Sequence, residues 1–190
     1  HTPGVETTTG PLGQGIAVAA GVAMGARFLK QRVSEELFDY HVYALCSDGD
    51  LMEGVASEAA SLAGHLRLGN LICLYLDNKI TIEGDTDLAF TEDVGTRFLS
   101  YGWQVLRVEG ENVAELDRAI AKAKHSPRPS LIIARSHIGF GAPTKQDSHD
   151  AHGAPLGSEE LKATKRAFGR DPEQSFAIPA EVAAHMSAAK

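Results

Sequence analysis

Val42-Tyr43-Ala44-Leu45-Cys46-Ser47-Asp48-Gly49-Asp50 is the stretch that decides the fold, and Leu71-Ile72-Cys73-Leu74-Tyr75-Leu76-Asp77-Asn78-Lys79-Ile80 answers it further on. Each is a short apolar run that breaks off in polar, turn-forming residues. Continuous rather than alternating apolarity reads as a strand buried on both faces, the habit of parallel sheets. Between the two runs, Leu51 to Leu66 has helical spacing. Strand, helix, strand at this length is a parallel unit whose two strands end at the same sheet edge.

The rest of the chain extends the alternation. Upstream, Gly13 to Val33 is rich in Ala, Val and Met and reads as a long helix suited to close packing. Downstream, Asp93 to Ser100 reads as a short helix and Trp103 to Val108 as a third strand. Asn112 to Lys124 is helical with Asn112 as N-cap, and Leu131 to Ala134 is a fourth strand. Ser158 to Phe168 is a helix that Gly169 closes. The pattern predicts an α/β fold: a parallel sheet with helices on both faces and right-handed crossovers. In such sheets ligands bind beyond the carboxyl ends of the strands. Residues 1–170 are expected to form this one domain. Residues 171–190, with Pro172 and Pro179 as punctuation, are expected to begin an interdomain linker and helix.

Composition limits the function classes. The 190 residues suit one domain, and 43% apolar content suits an ordinary core. Aromatics are only 6%, while 19 glycines favour tight helix-on-sheet packing. A formal net charge of -7 argues against a general nucleic-acid surface but permits a diphosphate bound locally by N–H groups and a cation. Cys46 and Cys73 lie in apolar runs outside any C-x-x-C pair, and read as buried free thiols of a reducing cytosol. A cytoplasmic location is therefore expected. No run of 18 apolar residues suggests a membrane span. The chain opens at His1 rather than methionine, as expected for a piece of a longer protein.

The chemistry gathers where the two strands end. Asn78 follows Asp48 by 30 positions, and one helix and one strand fill the interval. Both loops therefore emerge together, with the Asp48 carboxylate and the Asn78 amide oxygen in reach of a shared cation. A turn at Lys79 can aim the Ile80 carbonyl at the same point. Three hard oxygen donors supply about half of the octahedral shell of Mg2+, leaving positions for phosphate oxygens and water. Taken singly, Ser-Asp-Gly and Asp-Asn are ordinary turns; their joint placement favours a metal site. Gly49 lets backbone approach closely, and Gly10, Gly13 and Gly15 do the same before the first helix or merely permit helix packing. His152 alone reads as a surface loop histidine, His149 as a substrate contact or loop cap, His65 as structural, and Lys79 as solvated. Glu53 alone reads as a carboxylate near a helix N-terminus.

A longer series of words carries a family resemblance. A strand followed by G-D-G and, about 30 residues on, an Asn resembles the signature of thiamine-diphosphate enzymes. Gly4-Val5-Glu6-Thr7-Thr8-Thr9-Gly10-Pro11-Leu12-Gly13-Gln14-Gly15 resembles the G-V-E-x-T-T-G-P-L-G-Q-G stretch of transketolases. Ser47 to Gly54 is similar to their G-D-G-x-x-x-E-G, and Asp77 to Gly84 to their D-N-x-I-x-I-x-G. Ile138-Gly139-Phe140-Gly141 and His149 to Leu156 resemble later loops of the family. The resemblance runs from His1 to about Pro179.

It implies thiamine diphosphate with Mg2+, for which Ca2+ or Mn2+ can substitute. Asp48, Asn78 and the Ile80 carbonyl would bind the metal. Gly10 and Leu12 would line the cofactor near its reactive end, Ser47 and Gly49 would meet the diphosphate, and Ile138 would pack on the cofactor. His152 would be the catalytic residue, contacting the diphosphate beside the substrate. Glu53 would belong to a hydrogen-bond network between the two cofactor sites of a dimer. The implied reaction moves a two-carbon ketol unit from a ketose phosphate to an aldose phosphate. The glutamate that activates the cofactor would come from a pyrimidine domain of another subunit, which this chain lacks along with a C-terminal domain. The chain alone is thus expected to be inactive, and to act with the rest of its own enzyme or a separate chain, as a homodimer or a split heterotetramer.

Two positions depart from the pattern. Ser47 replaces the first glycine of G-D-G, which is tolerable if its φ is ordinary. Leu76 stands where many members carry an acid, which makes the local charge less negative. The family segment with substrate histidines does not precede His1. Related alternatives are a 1-deoxy-xylulose-phosphate synthase, a dihydroxyacetone synthase or a non-catalytic cofactor-binding subunit. An ordinary Rossmann oxidoreductase ranks last, because G-x-G-x-x-G is missing from the first βα turn.

Overall fold

A computed structural model describes residues 4–188. His1, with which the family-like segment opens, and the last two residues of the 171–190 segment lie outside them. Twelve elements follow in order: α1 (Gln14–Arg32), α2 (Glu35–Phe38), β1 (Val42–Ser47), α3 (Asp48–Met52), α4 (Gly54–His65), β2 (Leu71–Asp77), α5 (Val94–Ser100), β3 (Gln104–Glu109), α6 (Val113–Lys124), β4 (Ser130–Arg135), α7 (Ser158–Ala167) and α8 (Ala180–Ala188). The strands form one wholly parallel sheet in the order β1-β2-β4-β3. Ser47 pairs with Leu76 and Asp77 with Arg135, so β1, β2 and β4 end level with one another.

Helices cover both faces, unevenly. On one face α1, α4 and α5 bury Ile16, Ala19, Ala20, Ala23, Ala56, Ala60, Ala63, Val94 and Phe98 against Ala44, Cys46, Leu71, Cys73, Tyr75, Leu131 and Ile133. Alanine on both packed helices lets α1 lie close to α4. On the other face α6 buries Ala119 and Ala123 against Ile72 and Ile132. Tyr43 and Leu45, which alternate onto that second face of β1, are exposed. Both cysteines are buried and free. Burial raises both thiols, that of Cys73 up to about 12, so neither is a ready nucleophile.

One expected helix is two. Leu51 to Leu66 breaks at Glu53, whose extended backbone (φ -74°, ψ 139°) caps both α3 and α4. The apolar spacing runs through the break, so periodicity alone could not show it. The other expected elements form within a residue or two, with Asn112 capping α6 through its side chain. The short α2 and the helix α8 complete the set.

Trp103 locks the α4 side of the core. Its indole N–H donates to the Ala60 carbonyl at 2.8 Å, and its ring meets Phe98 edge-on at 5.0 Å. Substituting Trp103→Phe loses that bond and part of the buried ring. A loss of about 2 kcal/mol is expected in urea unfolding; an unchanged midpoint would show that the core closes over the gap.

Candidate functional site

The carboxyl ends of β1 and β2 carry the cluster. Asp48 opens α3 directly after β1 and is 1% exposed. The Tyr75 hydroxyl donates to Asp48 Oδ1 at 2.6 Å and lies 3.3 Å from Asp77 Oδ1. A phenol has one proton to give, so the shorter contact takes it. Asp77 is held instead by the Lys79 ammonium at 2.9 Å. Burial, then the neighbouring Asp48 and Asp77 carboxylates, push the Tyr75 phenol well above the usual tyrosine range, so it stays a donor. Burial likewise raises the Asp48 carboxyl, with the Tyr75 hydrogen bond pulling it down.

The other Asp48 oxygen, Oδ2, is buried and makes no well-formed hydrogen bond, although the Asn78 N–H lies close enough to the carboxyl to favour its charged form. Buried carboxylate oxygens are seldom left so, because the lost hydration is costly. A cation is the partner such an oxygen suits. The segment after β2 is a tight turn. Lys79 is left-handed (φ 65°), and the Ile80 N–H donates to Asn78 Oδ1 at 2.9 Å. The turn is closed by Thr86 N–H to the Lys79 carbonyl and by Thr81 N–H to the Gly84 carbonyl, neither of which engages the Ile80 carbonyl. An amide oxygen has two lone pairs, so Asn78 Oδ1 retains one for a metal. Among the described residues no three His, Cys, Asp or Glu side chains converge on a metal position. One carboxylate, one amide and one backbone carbonyl have the chemistry that suits a hard cation bringing its own oxygen ligands.

A second residue, Asp50, ties the loop before α1 to the end of β1. Its Oδ2 accepts the Ser47 N–H at 2.9 Å and the Ser47 hydroxyl at 3.3 Å, while its Oδ1 accepts the Gly13 N–H at 2.9 Å. Sequence reading passed over Asp50, although a carboxylate three residues after Ser47 is the spacing of a capping box. Gly13 sits at φ 76°, and a Cβ there would come 2.8 Å from that of Glu53. Packing of α1 against the α3–α4 junction therefore accounts for Gly13, rather than approach to a ligand. Leu12 lies 3.3 Å from where a Gly49 Cβ would stand, so Gly49 makes room for Leu12.

Both departures find their place. Ser47 has φ -124°, which any residue adopts. Leu76 points to the sheet face opposite Tyr75 and Asp77, by strand alternation, and is exposed. Its side chain therefore does not share the face on which Tyr75 meets Asp48.

Among the described residues, no hydrogen bond joins the remaining predicted residues to Asp48 or Asn78. Gly10 is exposed in the loop before α1. Glu53 is exposed, and makes no side-chain cap to α4. Ile138 is half-buried in the loop after β4, its carbonyl accepting the Asp147 N–H at 2.9 Å. His152 is exposed after a short turn, its N–H bonded to the His149 carbonyl. Among the described residues no hydrogen bond joins the His152 ring to Asp48 or Asn78.

The whole chain, residues 1–190, matches the family model of the transketolase thiamine diphosphate binding domain. The chain belongs to this transketolase family. It is 53% identical over 193 residues to a transketolase of Geobacillus stearothermophilus, covering 99% of this chain and 29% of that one. The structure superposes on a transketolase from Campylobacter jejuni with a TM-score of 0.93 at 47% identity, over 97% of this chain and 29% of the other. A transketolase from Leishmania mexicana gives 0.92 at 42%, over 98% and 29%. The chain thus spans 29% of the length of these relatives, and it matches the thiamine diphosphate binding domain of the family. The relatives are enzymes by name, and the parallel sheet agrees with theirs.

Proposed function

We propose that this domain holds thiamine diphosphate through a divalent cation, Mg2+ with Ca2+ or Mn2+ as substitutes, and serves a transketolase reaction. The observation that carries the reading is Asp48 Oδ2, a buried oxygen without a well-formed hydrogen bond beside the Asn78–Ile80 turn, within a domain of this family. Asp48, Asn78 and the Ile80 carbonyl would hold the metal, and Ser47 and Gly49 would meet the diphosphate. Gly10, Leu12 and Ile138 would line the cofactor, and Glu53 would link the paired sites. When bound, the cofactor supplies a carbanion-stabilising centre for moving a two-carbon ketol unit between sugar phosphates.

The chain's own residues do the holding. Asp48 offers one negative charge from a site that excludes water, where its attraction to a cation is stronger than in bulk. Asp50 bonds both the loop that follows Leu12 and the end of β1 that precedes Gly49, which ties the two segments together. His152, on a loop beyond β4, would contact the diphosphate and substrate. The activating glutamate would come from a pyrimidine domain, either in the remainder of the same enzyme or in a separate chain, within a homodimer or heterotetramer of the cytoplasm.

Ketol transfer from xylulose 5-phosphate to ribose 5-phosphate tests the reading, with thiamine diphosphate and Mg2+ present. The chain alone is expected to be silent, and its mixture with a transketolase pyrimidine domain active. Activity of the chain alone would overturn the shared-site reading. Silence of both, with cofactor bound, would move the function to another thiamine reaction.

A further inference from the structure

We propose that Tyr75 is a positioning residue for the metal: by holding Asp48 Oδ1 it aims Asp48 Oδ2 at the cation. The inference rests on the metal reading above and goes beyond it, because Tyr75 touches neither cation nor cofactor.

Three observations carry it. The hydroxyl meets Asp48 Oδ1 at 2.6 Å, a short contact of the kind charged acceptors make. The ring itself cannot swing, since it is 1% exposed and packed into the main core among residues of β1, β2 and β4. The oxygen left over, Oδ2, is the only Asp48 carboxylate oxygen without a well-formed hydrogen bond. A carboxylate free to rotate would present either oxygen, or both. One held at Oδ1 by a rigid ring presents a single oxygen in a fixed direction, as a near-octahedral ion requires. Lys79 completes the arrangement by engaging Asp77, which would otherwise compete for the same phenol proton. Partners of this kind behind a metal ligand typically set affinity by 10–100-fold.

The test titrates Mn2+ into the full chain at saturating thiamine diphosphate and follows the electron paramagnetic resonance of the bound ion. Tyr75→Phe keeps the ring and removes the proton donor. It is expected to bind Mn2+ about tenfold more weakly, with an altered spectrum. Trp103→Phe removes a buried donor far from the site, and should lose stability while keeping wild-type Mn2+ affinity. Asp48→Asn should lose the ion. Wild-type affinity and spectrum in Tyr75→Phe, with binding lost in Asp48→Asn, would overturn the role of Tyr75 and leave the metal site standing. Wild-type Mn2+ binding in Asp48→Asn, or none in the unaltered chain, would overturn both. If Tyr75→Phe does not fold, replacing Tyr75 by 4-fluorophenylalanine carries the test. Its fluorine fills the place of the hydroxyl but has no proton to donate, so weakened binding supports the role and unchanged binding overturns it.

Discussion

Asp48→Asn is expected to weaken Mg2+-dependent binding of thiamine diphosphate by about 100-fold or more, while leaving the metal-free domain at least as stable as before. Two opposing effects decide the signs. The carboxylate is the only formal charge in the donor set, and asparagine of the same shape removes it. Since even residues behind a ligand are worth 10–100-fold, loss of the charged ligand itself should reach the upper end or beyond. A 100-fold loss corresponds to about 2.7 kcal/mol. Without metal the same charge is a burden, because burial raises the Asp48 carboxyl above its ordinary value. A carboxyl raised on folding contributes stability that is present below its unfolded value and is lost as pH rises through its folded one. At neutral pH the ionised group therefore works against the metal-free fold, and the neutral amide removes that cost. Calorimetric titration of cofactor at fixed Mg2+, paired with thermal unfolding without metal, reads both signs. Undiminished affinity would refute Asp48 as a ligand. A large fall in metal-free stability would mean that the carboxylate serves the fold.

The second large effect lies in the core. Gly64→Ala is expected to destabilise the domain by about 3 kcal/mol, although alanine is the better helix former by about 1 kcal/mol. A Cβ at Gly64 would overlap the Tyr101 carbonyl oxygen, stand 2.9 Å from its carbon and meet Trp103 Cδ1 at 3.3 Å. The obstruction is backbone, and that backbone is pinned: the Tyr101 N–H bonds to the Arg97 and Phe98 carbonyls, and the Trp103 N–H to the Phe98 carbonyl. A rotamer change cannot relieve it, so α4 must lift from α5 or the turn after α5 must distort. Steric cost therefore exceeds propensity gain. Gly21→Ala in α1 isolates the second term, since nothing lies within 4 Å of a Cβ there, and should stabilise by up to about 1 kcal/mol. For a domain of this size the Gly64 loss corresponds to about 6–12 °C in Tm. Equal, positive shifts for both variants would refute the packing argument.

Much of the candidate site was legible because its residues sit where a strand stops. Ser47, Asp48, Asn78 and Ile80 each follow a buried apolar run, and parallel strands bring such ends to one edge. Tyr75 was not legible as a functional residue. An aromatic inside an apolar run reads as core, which it is; only its hydroxyl reaches the site. Asp50 was missed for a related reason. Its partners are Ser47, three residues away, and Gly13, 37 away, and local spacing reports only the first. Leu76 drew attention as a departure, yet it faces away from Asp48. A one-residue step along a strand reverses the side chain, so neighbours in sequence need not share an environment.

By itself the sequence determined the class of fold, the presence and approximate limits of most elements, and the edge of the sheet at which Asp48 and Asn78 meet. These follow from apolar period and strand direction, which are local properties. Tertiary structure alone decided the strand order β1-β2-β4-β3, the break at Glu53, the pairing of Asp50 with Gly13 and the clasp of Tyr75 on Asp48. Each of these is a contact between segments whose meeting is set by how the helices fill the two faces of the sheet. That packing is a property of the whole chain, and no short window of residues contains it.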